Sequence, residues 1–329
     1  MPPSSRARQS LPKERFGTYF GNASTQLYQD LRSHSVRSIS WSPMGTSIAT
    51  GSIDKTLRVW NPEKPNVRFS TELKGHVAPI EKVAFNPVKQ AELASISNDG
   101  TLKIWDVRNN ACVSEVKDLG EAFTLAWAPD GSSLVVGNKT DKIFIIEPGR
   151  PTPVASHQQA TQTNQIAFCW SGKKVFVTTG DGKTRILTYP DFQPILFNQF
   201  TKPPSEFKLF GHTASCLTTA LQPSARHLAT GGSESLISLW DTEDWICKRT
   251  LTGMTGPIRS LSFSFDGSYI SAGSEDGKGV RIWHVESGEE VHVVNTNHPA
   301  HVVAWAPLHY AIAFNDNGYL NIASVHERR

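Results

Sequence analysis

One short pattern recurs seven times along the 329-residue chain: an alternating apolar stretch that ends in a large apolar residue, followed by a polar turn. The copies are separated by steps of 44, 42, 43, 51, 42 and 42 residues, and they end at Trp41, Phe85, Trp127, Trp170, Leu221, Phe263 and Trp305. A period of roughly 40–45 residues is the length of one four-stranded propeller blade. The repeat therefore predicts seven such units in one domain.

A second pattern follows each copy by 17 to 20 residues, and it is a polar turn leading into another alternating strand. Its strands end at Trp60, Trp105, Ile146, Leu187, Trp240, Trp283 and Ile322. Period-two alternation bounded by Asp-Gly or Asp-Lys turns is typical of β-hairpins. We predict an all-β, seven-bladed β-propeller with blades at residues 34–70, 76–116, 121–155, 164–209, 212–251, 255–294 and 298–325.

The last repeat supplies only three strands, whereas a blade needs four. The segment LYQDLRSH before the first blade resembles the segments that precede His76 and His212. We therefore expect residues 26–33 to form the outer strand of blade seven, so that an N-terminal strand closes the ring and no edge stays open there. The long step of 51 residues indicates an insertion near residues 190–210, which either binds a partner or elaborates an outer strand.

Residues 1–15 are basic, and the rest of the chain is close to neutral. This segment carries Arg6, Arg8, Lys13 and Arg15 against Glu14, which accounts for the whole net charge of +3. Its Pro, Ser and Arg content predicts a disordered basic tail, with residues 16–329 forming the propeller. The tail is a candidate for weak or indirect RNA contact or nuclear import, and simple solvation is the alternative.

The repeats resemble the WD-repeat family, on the strength of Gly75-His76, Gly211-His212, Trp105-Asp106 and Trp240-Asp241. The resemblance implies a buried network of His, Ser or Thr, Asp and Trp in each well-preserved blade. A His and an Asp removed from water must satisfy each other, and the indole N–H needs an acceptor. The implied sets are His34, Thr50, Asp54 and Trp60; His76, Ser95, Asp99 and Trp105; and His212, Thr230, Glu234 and Trp240. Blade six keeps Asp276 and Trp283 only, while blades three, four and seven have lost most of the set.

A narrower resemblance is to the THO complex subunit 3 family of WD-repeat proteins. It rests on LRSHSVRSISWS, GSIDKTLRVW, IWDVRNNAC, WAPDGSSLVVGNKTDKI, ILTYPDFQPI and SLWDTEDWICKR, which occur in order over five blades. The resemblance implies a non-catalytic scaffold subunit of the nuclear THO/TREX assembly, which couples transcription to mRNA packaging and export. The implied partners are the other THO complex subunits, which are large helical proteins.

Motifs that would indicate catalysis, a metal or a cofactor are missing from the sequence. Gly182-Lys183-Thr184 resembles the end of a phosphate loop, but the required Gly is replaced by Val177. His298 and His301 lack further zinc ligands nearby. We therefore expect no enzyme activity, no cofactor, no metal and no small-molecule substrate. No apolar run is long enough for a membrane span, so a nuclear protein without membrane contact is expected.

The residues just before each turn Asp are candidate partner contacts, because rigid hairpins present them on one face. They are Ile53, Asn98, Ser233, Glu275 and Asn315. Arg108, after Trp105-Asp106, resembles the WDxR box of propellers that serve as substrate receptors of cullin-RING ubiquitin ligases. That role is one alternative to the THO scaffold. The others are a histone-tail reader, which needs an acidic pocket at the channel mouth, and a direct RNA-binding module.

Overall fold

The computed structural model describes residues 10–28, 35–198 and 205–325, and its strands form seven four-stranded antiparallel sheets within those ranges. Ahead of the sheets comes one helix, α1 (Lys13–Gly21), followed by strand β1 (Ser24–Tyr28). None of the helices in the described ranges is long and apolar enough to cross a membrane.

The first three blades follow β1 without insertions. Blade one holds β2 (Val36–Trp41), β3 (Ile48–Ser52), β4 (Leu57–Trp60) and β5 (Thr71–Leu73), with a 3-10 turn at Val67–Phe69. Blade two holds β6 (Ile80–Phe85), β7 (Glu92–Ser97), β8 (Leu102–Asp106) and β9 (Ala111–Val116). Blade three holds β10 (Ala122–Trp127), β11 (Leu134–Asn138), β12 (Lys142–Ile146) and β13 (Ala155–Gln158).

Blade four contains the insertion. Its sheet is β14 (Thr163–Phe168), β15 (Lys174–Thr179), β16 (Lys183–Thr188) and, after an inserted hairpin of β17 (Phe197–Asn198) and β18 (Ser205–Glu206), β19 (Lys208–Phe210). Blade five holds β20 (Cys216–Leu221), β21 (His227–Gly232), β22 (Ile237–Asp241) and β23 (Cys247–Leu251). Blade six holds β24 (Ile258–Phe263), β25 (Tyr269–Ser274), β26 (Val280–His284) and β27 (Glu290–Val294). Blade seven holds β28 (Val303–Trp305), β29 (Ala311–Asp316) and β30 (Tyr319–Ser324).

The seven sheets close into a ring, and the predicted seven-bladed propeller is confirmed. The first strands of neighbouring blades contact each other all the way round, from β2 through β6, β10, β14, β20, β24 and β28 back to β2. Blade seven gains its fourth strand from the N-terminus, because β1 pairs antiparallel with β30, from Ser24 opposite Ser324 to Tyr28 opposite Leu320. The predicted strand began at residue 26; the structure begins it at Ser24, and residues 29–33 lie outside the described ranges.

Helix α1 corrects the predicted boundary of the tail. The sequence predicts a disordered tail up to residue 15, whereas α1 begins at Lys13; beyond that boundary, Phe16 and Phe20 are fully buried against blades six and seven. Phe16 stacks on Tyr269 with ring centroids 3.8 Å apart, and the Tyr269 hydroxyl donates to the Leu11 carbonyl at 2.6 Å. Burying two Phe side chains stabilises the helix by several kcal/mol, on the order of 1.5–3 kcal/mol each. The basic residues of 1–9 lie outside the described residues.

The structure also corrects the register in blade four. The sequence pattern placed Trp170 at the end of the first strand, but Phe168 holds that position, opposite Val175, and is buried. Trp170 lies in the following turn with 43% of its surface exposed. Both residues are aromatic and close in sequence, so the spacing alone could not separate them. The difference matters because it moves a large indole from the core to the surface.

Antiparallel strands alternate direction, so the turns of each blade fall on two faces. The turns between second and third strands, with Ile53 and Asn98, lie on what we term the upper face. The turns between first and second strands and between third and fourth strands, with Trp170 and Arg108, lie on the lower face. These two faces are where a propeller presents loops to partners.

Candidate functional site

The upper-face loops of blade two are fixed by a buried hydrogen-bonded chain. The Trp105 indole N–H donates to the Ser95 hydroxyl at 2.8 Å, and Ser95 lies 2.7 Å from Nε2 of His76. Nδ1 of His76 lies 3.2 Å from Asp99 Oδ2, which also accepts the Val77 N–H at 3.1 Å. Since a carboxylate only accepts, the Nδ1 proton is the donor to Asp99 and the neutral ring accepts the Ser95 proton at Nε2.

The pKa shifts of His76 and Asp99 agree with a neutral His76. Burial lowers the pKa of His76 below its ordinary value, and the nearby Asp99 carboxylate only partly offsets that effect. Burial by itself raises the pKa of Asp99, but hydrogen bonds from Thr101, the Val77 amide and His76 outweigh it and leave the pKa low. The ionised Asp99 carboxylate therefore accepts hydrogen bonds from its own turn and from the preceding loop, and so it holds the two together.

Blade five has the same chain with Glu in place of Asp. The Trp240 N–H donates to Thr230 Oγ1 at 3.0 Å, and Thr230 lies 2.8 Å from Nε2 of His212. Nδ1 of His212 bonds to Oε1 of Glu234. Oε2 of Glu234 is buried and has no hydrogen-bond partner in the described part of the chain. The longer side chain thus keeps the His contact but leaves one oxygen unsatisfied.

In blade one, the structure describes three of the four predicted residues, Thr50, Asp54 and Trp60. The Trp60 N–H donates to Thr50 Oγ1 at 2.9 Å, and Asp54 accepts the Thr56 hydroxyl at 2.7 Å. His34 lies outside the described residues. In blade six, the Asp276 backbone N–H donates to the Ser274 hydroxyl at 3.3 Å, and Trp283 is buried against blade five.

The remaining blades replace the polar chain with apolar pairs at the same register positions. The Ser95 and Trp105 positions hold Val136 and Ile146 in blade three, Val177 and Leu187 in blade four, and Phe314 and Ala323 in blade seven. All six side chains are at most 1% exposed. Replacing both partners of a buried hydrogen bond by apolar groups leaves no polar atom unsatisfied, which is why these blades stay packed.

The predicted upper-face contacts differ in accessibility. Ile53 is 40% exposed, and Glu275 is exposed and paired with Arg259 at 2.8 Å. Asn98 and Ser233 are half-buried, and the Asn98 amide donates to Glu81 at 2.8 Å.

Asn315 does not fit the prediction of a surface contact. Its side chain is 2% exposed, and its Oδ1 accepts the Val302 N–H at 2.8 Å while its amide lies 3.0 Å from Nδ1 of His301. Together with Asp316, which accepts the backbone N–H groups of Asn297 and His298, Asn315 holds the loop that leads into β28. Its position before a turn Asp therefore reflects an internal anchor.

Arg108 lies on the lower face, away from the other candidates. Its side chain is 74% exposed, and its guanidinium contacts both carboxylate oxygens of Asp106, at 3.1 and 2.9 Å. These bonds lower the pKa of Asp106 to about 2. The guanidinium is thus oriented by its own turn and still presents a face to solvent.

A ring of residues at the channel mouth was missed by the sequence patterns. Six of the first strands contain a one-residue bulge, and the extra residues are Arg37, Glu81, Phe123, Asn164, Leu217 and Arg259. Arg37 crosses from blade one to Glu81 of blade two at 2.6 Å. A bulge turns a side chain away from the regular alternation, so period-two reasoning assigns it no face. Its recurrence at the second residue of six first strands is the signal that could have located it.

Comparisons with known proteins were consistent with this geometry. The model of the WD domain, G-beta repeat, matches residues 25–61, 68–106, 204–241 and 245–284. THO complex subunit 3 from Arabidopsis thaliana is 33% identical over 281 residues, which cover 85% of this chain and 85% of that protein. The chain belongs to the WD-repeat family.

Other WD-repeat proteins share the fold with less coverage or less identity. WD repeat-containing protein AAC3 from Dictyostelium discoideum is 30% identical over 75% of this chain and 55% of its own length. Among solved structures, the β-propeller domain of Cps50 (Swd1) from Myceliophteria thermophila superposes with a TM-score of 0.78 at 17% identity. That match covers 92% of this chain and 100% of the domain. It supports the fold alone.

Proposed function

We propose that this WD-repeat protein is a non-catalytic scaffold subunit of a nuclear THO-type complex, coupling transcription to mRNA packaging and export through protein–protein contacts. The observation that carries the proposal is the 33% identity to THO complex subunit 3 over 85% of both chains. Other WD-repeat relatives match 75–88% of this chain at 25–30% identity but only 30–68% of their own length, so the THO match stands out by its identity and by its coverage of both chains. The partners under this proposal are the large helical subunits of the complex.

The described residues fit a binding role. They contain no group of three or more His, Cys, Asp or Glu side chains arranged to hold a metal ion. The hydrogen-bonded chains of blades two and five hold loops rigidly, and a preformed surface reduces the entropy lost when a partner binds. At the channel mouth, Arg37 and Arg259 are balanced by Glu81 and Glu275, which does not favour a reader of basic histone tails.

Contact with RNA through the N-terminal basic residues is a further part of the proposal, and one basic residue is already engaged. Lys13 forms an ion pair with Glu289 at 2.6 Å. The charge that remains for RNA is therefore smaller than the sequence suggests. We propose that RNA association is weak, depends on salt and is carried mainly by the partner subunits.

The test is affinity purification of the tagged full-length protein from nuclear extract, with and without nuclease, read by mass spectrometry. We expect the other THO subunits to be recovered at the same level after nuclease treatment. Arg108→Ala is the matched variant, since the side chain is exposed and its guanidinium bonds to Asp106 of its own turn. Recovery of a ubiquitin-ligase adaptor that is lost in Arg108→Ala, without THO subunits, would replace the scaffold assignment by the receptor role.

A further inference from the structure

A cavity of about 780 Å³ opens on the lower face beside blade two, and we call it the blade-two cleft. Its walls come from the β6–β7 turn, the β8–β9 turn and the start of β9. The residues that line it include Gln90, Glu92, Trp105, Val107, Arg108 and Val113. Ligand clefts in proteins have volumes of roughly 300–1,000 Å³, so this cavity has the size of a binding site.

Hydrogen bonds to both neighbouring blades fix the wall of the cleft that the β6–β7 turn supplies. The buried Asn86 amide donates to Glu92 at 2.8 Å and to the Gly131 carbonyl of blade three at 2.9 Å. On the other side, the Gln90 amide donates to the Thr46 hydroxyl of blade one at 2.6 Å. A cleft with a preformed wall loses less entropy when a ligand binds.

The apolar contact of the cleft is Val113, which is 58% exposed. It is the extra residue of a bulge in β9, because Ile104 pairs with Ser114 whereas Trp105 pairs with Cys112. A bulge turns a side chain out of the regular alternation of the strand. The outer strand of blade two therefore presents a valine beside the cavity.

Blade six has the same bulge, and there the protein covers it with its own N-terminal segment. The extra residue of β27 is Val291, in register with Val113. Val291 packs against the cluster that contains Phe16 and Phe20 of α1. Its carbonyl oxygen lies so close to Gly17 that a Cβ on Gly17 would be 3.0 Å away.

A second position on blade six also contacts the N-terminal segment and has its equivalent in the cleft. Tyr269 stacks on Phe16 with ring centroids 3.8 Å apart. Tyr269 pairs with His284 as Glu92 pairs with Asp106, so Glu92 occupies the position of Tyr269 in blade two. Two positions that hold a peptide segment on blade six therefore line the cleft on blade two.

The charge beside the two equivalent surfaces has opposite sign. On blade six, Glu286 and Glu289 are 55% and 61% exposed, and Glu289 pairs with the basic Lys13 at 2.6 Å. On blade two, Arg108 occupies the register position of Glu286 and is 74% exposed. The acidic edge of blade six takes a basic segment, so the reversed edge of blade two matches an acidic one.

The cations at the cleft extend further into solvent than the carboxylates that they contact. Lys89 and Arg108 are 58% and 74% exposed, whereas their partners Glu92 and Asp106 are each 18% exposed. A ligand that approaches the cleft from solvent therefore meets positive charge first. The N-terminal segment of a second copy is basic and does not match this edge.

We propose that the blade-two cleft binds an acidic segment of a partner protein. An apolar side chain of that segment packs on Val113, and its carboxylates contact Lys89 and Arg108. The inference rests on the proposed function only for the partner's identity: within a THO-type complex, the segment belongs to one of the large helical subunits.

A photo-cross-linking residue in place of Val113, in the full-length protein, tests the site directly in nuclear extract. The control carries the same residue in place of Val154, which is 45% exposed beside the lower face of blade three. The proposal expects position 113, and not position 154, to cross-link to a segment in which acidic residues outnumber basic ones. The absence of a cross-link at 113, equal cross-linking at both positions, or a cross-link to a basic segment overturns the site.

Charge reversal supplies the second readout. Lys89→Glu is expected to reduce the cross-link at position 113 by about tenfold at low salt and by less at high salt. The matched control is Lys139→Glu, because Lys139 is 61% exposed and is likewise paired with one glutamate, Glu121. Thermal melts show that each variant is folded. A folded Lys89→Glu variant with undiminished cross-linking contradicts the proposal, and so does an equal loss in Lys139→Glu.

The outcomes separate the two proposals. THO subunits recovered without a cross-link at position 113 leave the scaffold assignment standing and remove the site in the blade-two cleft. A cross-link at position 113 to an acidic segment of a protein outside the complex, with no THO subunit recovered, retains the site and removes the scaffold assignment.

Discussion

Blades two and three solve the same packing problem with different chemistry. Blade two buries a polar chain from Trp105 through Ser95 and His76 to Asp99. Blade three has Val136 and Ile146 at the Ser95 and Trp105 positions, both fully buried. Asn138 helps to anchor its upper turn: the Asn138 amide donates to the Leu119 carbonyl at 2.8 Å, and its oxygen accepts the Thr140 N–H at 3.1 Å.

The difference shows that each blade needs well-packed side chains at the Ser95 and Trp105 positions and a hydrogen-bonded upper turn. It does not need particular residues there. A buried polar chain is stable only when every member is satisfied, whereas an apolar pair carries no such condition. Blade two is therefore expected to be sensitive to loss of any one member. Blade three is expected to tolerate apolar exchanges and to be sensitive to a new polar group.

The largest expected effect is at Trp105. Trp105→Ala removes the largest fully buried side chain of blade two and strips Ser95 of its donor, so we expect a loss of roughly 3–5 kcal/mol in the free energy of unfolding. Ile146→Ala is the matched change in blade three, with an expected loss of about 2–4 kcal/mol and no orphaned polar atom. Denaturant titration measures both. Equal losses would show that the hydrogen bond to Ser95 adds nothing.

Isosteric exchanges sharpen the comparison. Val136→Thr places a hydroxyl where blade three has no prepared partner among the described residues, and we expect a loss of about 1–3 kcal/mol. The reverse change, Thr50→Val in blade one, leaves the Trp60 N–H without its acceptor and should cost a similar amount. A melting temperature unchanged in Val136→Thr would mean that a water or a neighbour satisfies the new hydroxyl.

The two blades should also differ in their response to acid. Because the pKa of His76 is lowered in the folded state, unfolding takes up a proton at pH values below about 6.5. Stability from this group is therefore fully present above that pH and declines as the pH falls, by at most about 1.4 kcal/mol per pH unit. Unfolding titrations between pH 7.5 and 5 should show a shallower decline in His76→Gln. Parallel curves for the two proteins would remove His76 from the polar chain as a titrating group.

The smallest effect is expected in blade five. Glu234→Asp keeps both carboxylate oxygens but shortens the side chain to the length found in blade two, where the Val77 N–H and the Thr101 hydroxyl satisfy them, so we expect a gain of up to about 1 kcal/mol. Differential scanning calorimetry should show a small rise in the melting temperature. A fall would show that the shorter carboxylate no longer reaches Nδ1 of His212.

Much of the fold could be predicted because one period governs most of the chain. The seven copies, the hairpin turns and the N-terminal closing strand all follow from local alternation and a constant spacing. The candidate contacts were less predictable. Asn315 occupies the same position in its blade as Ile53, yet it is buried, because its side-chain amide holds the loop that leads into β28.

The sequence by itself determined the number of blades, the positions of their strands and the residues of the polar chains, since these depend on contacts within one repeat. Tertiary structure decided what depends on contacts between repeats. The packing of α1 across blades six and seven, the exposure of Trp170 and the bulged ring at the channel mouth belong to this group. A repeat pattern records which face of a strand is apolar, but it does not record which neighbour covers that face.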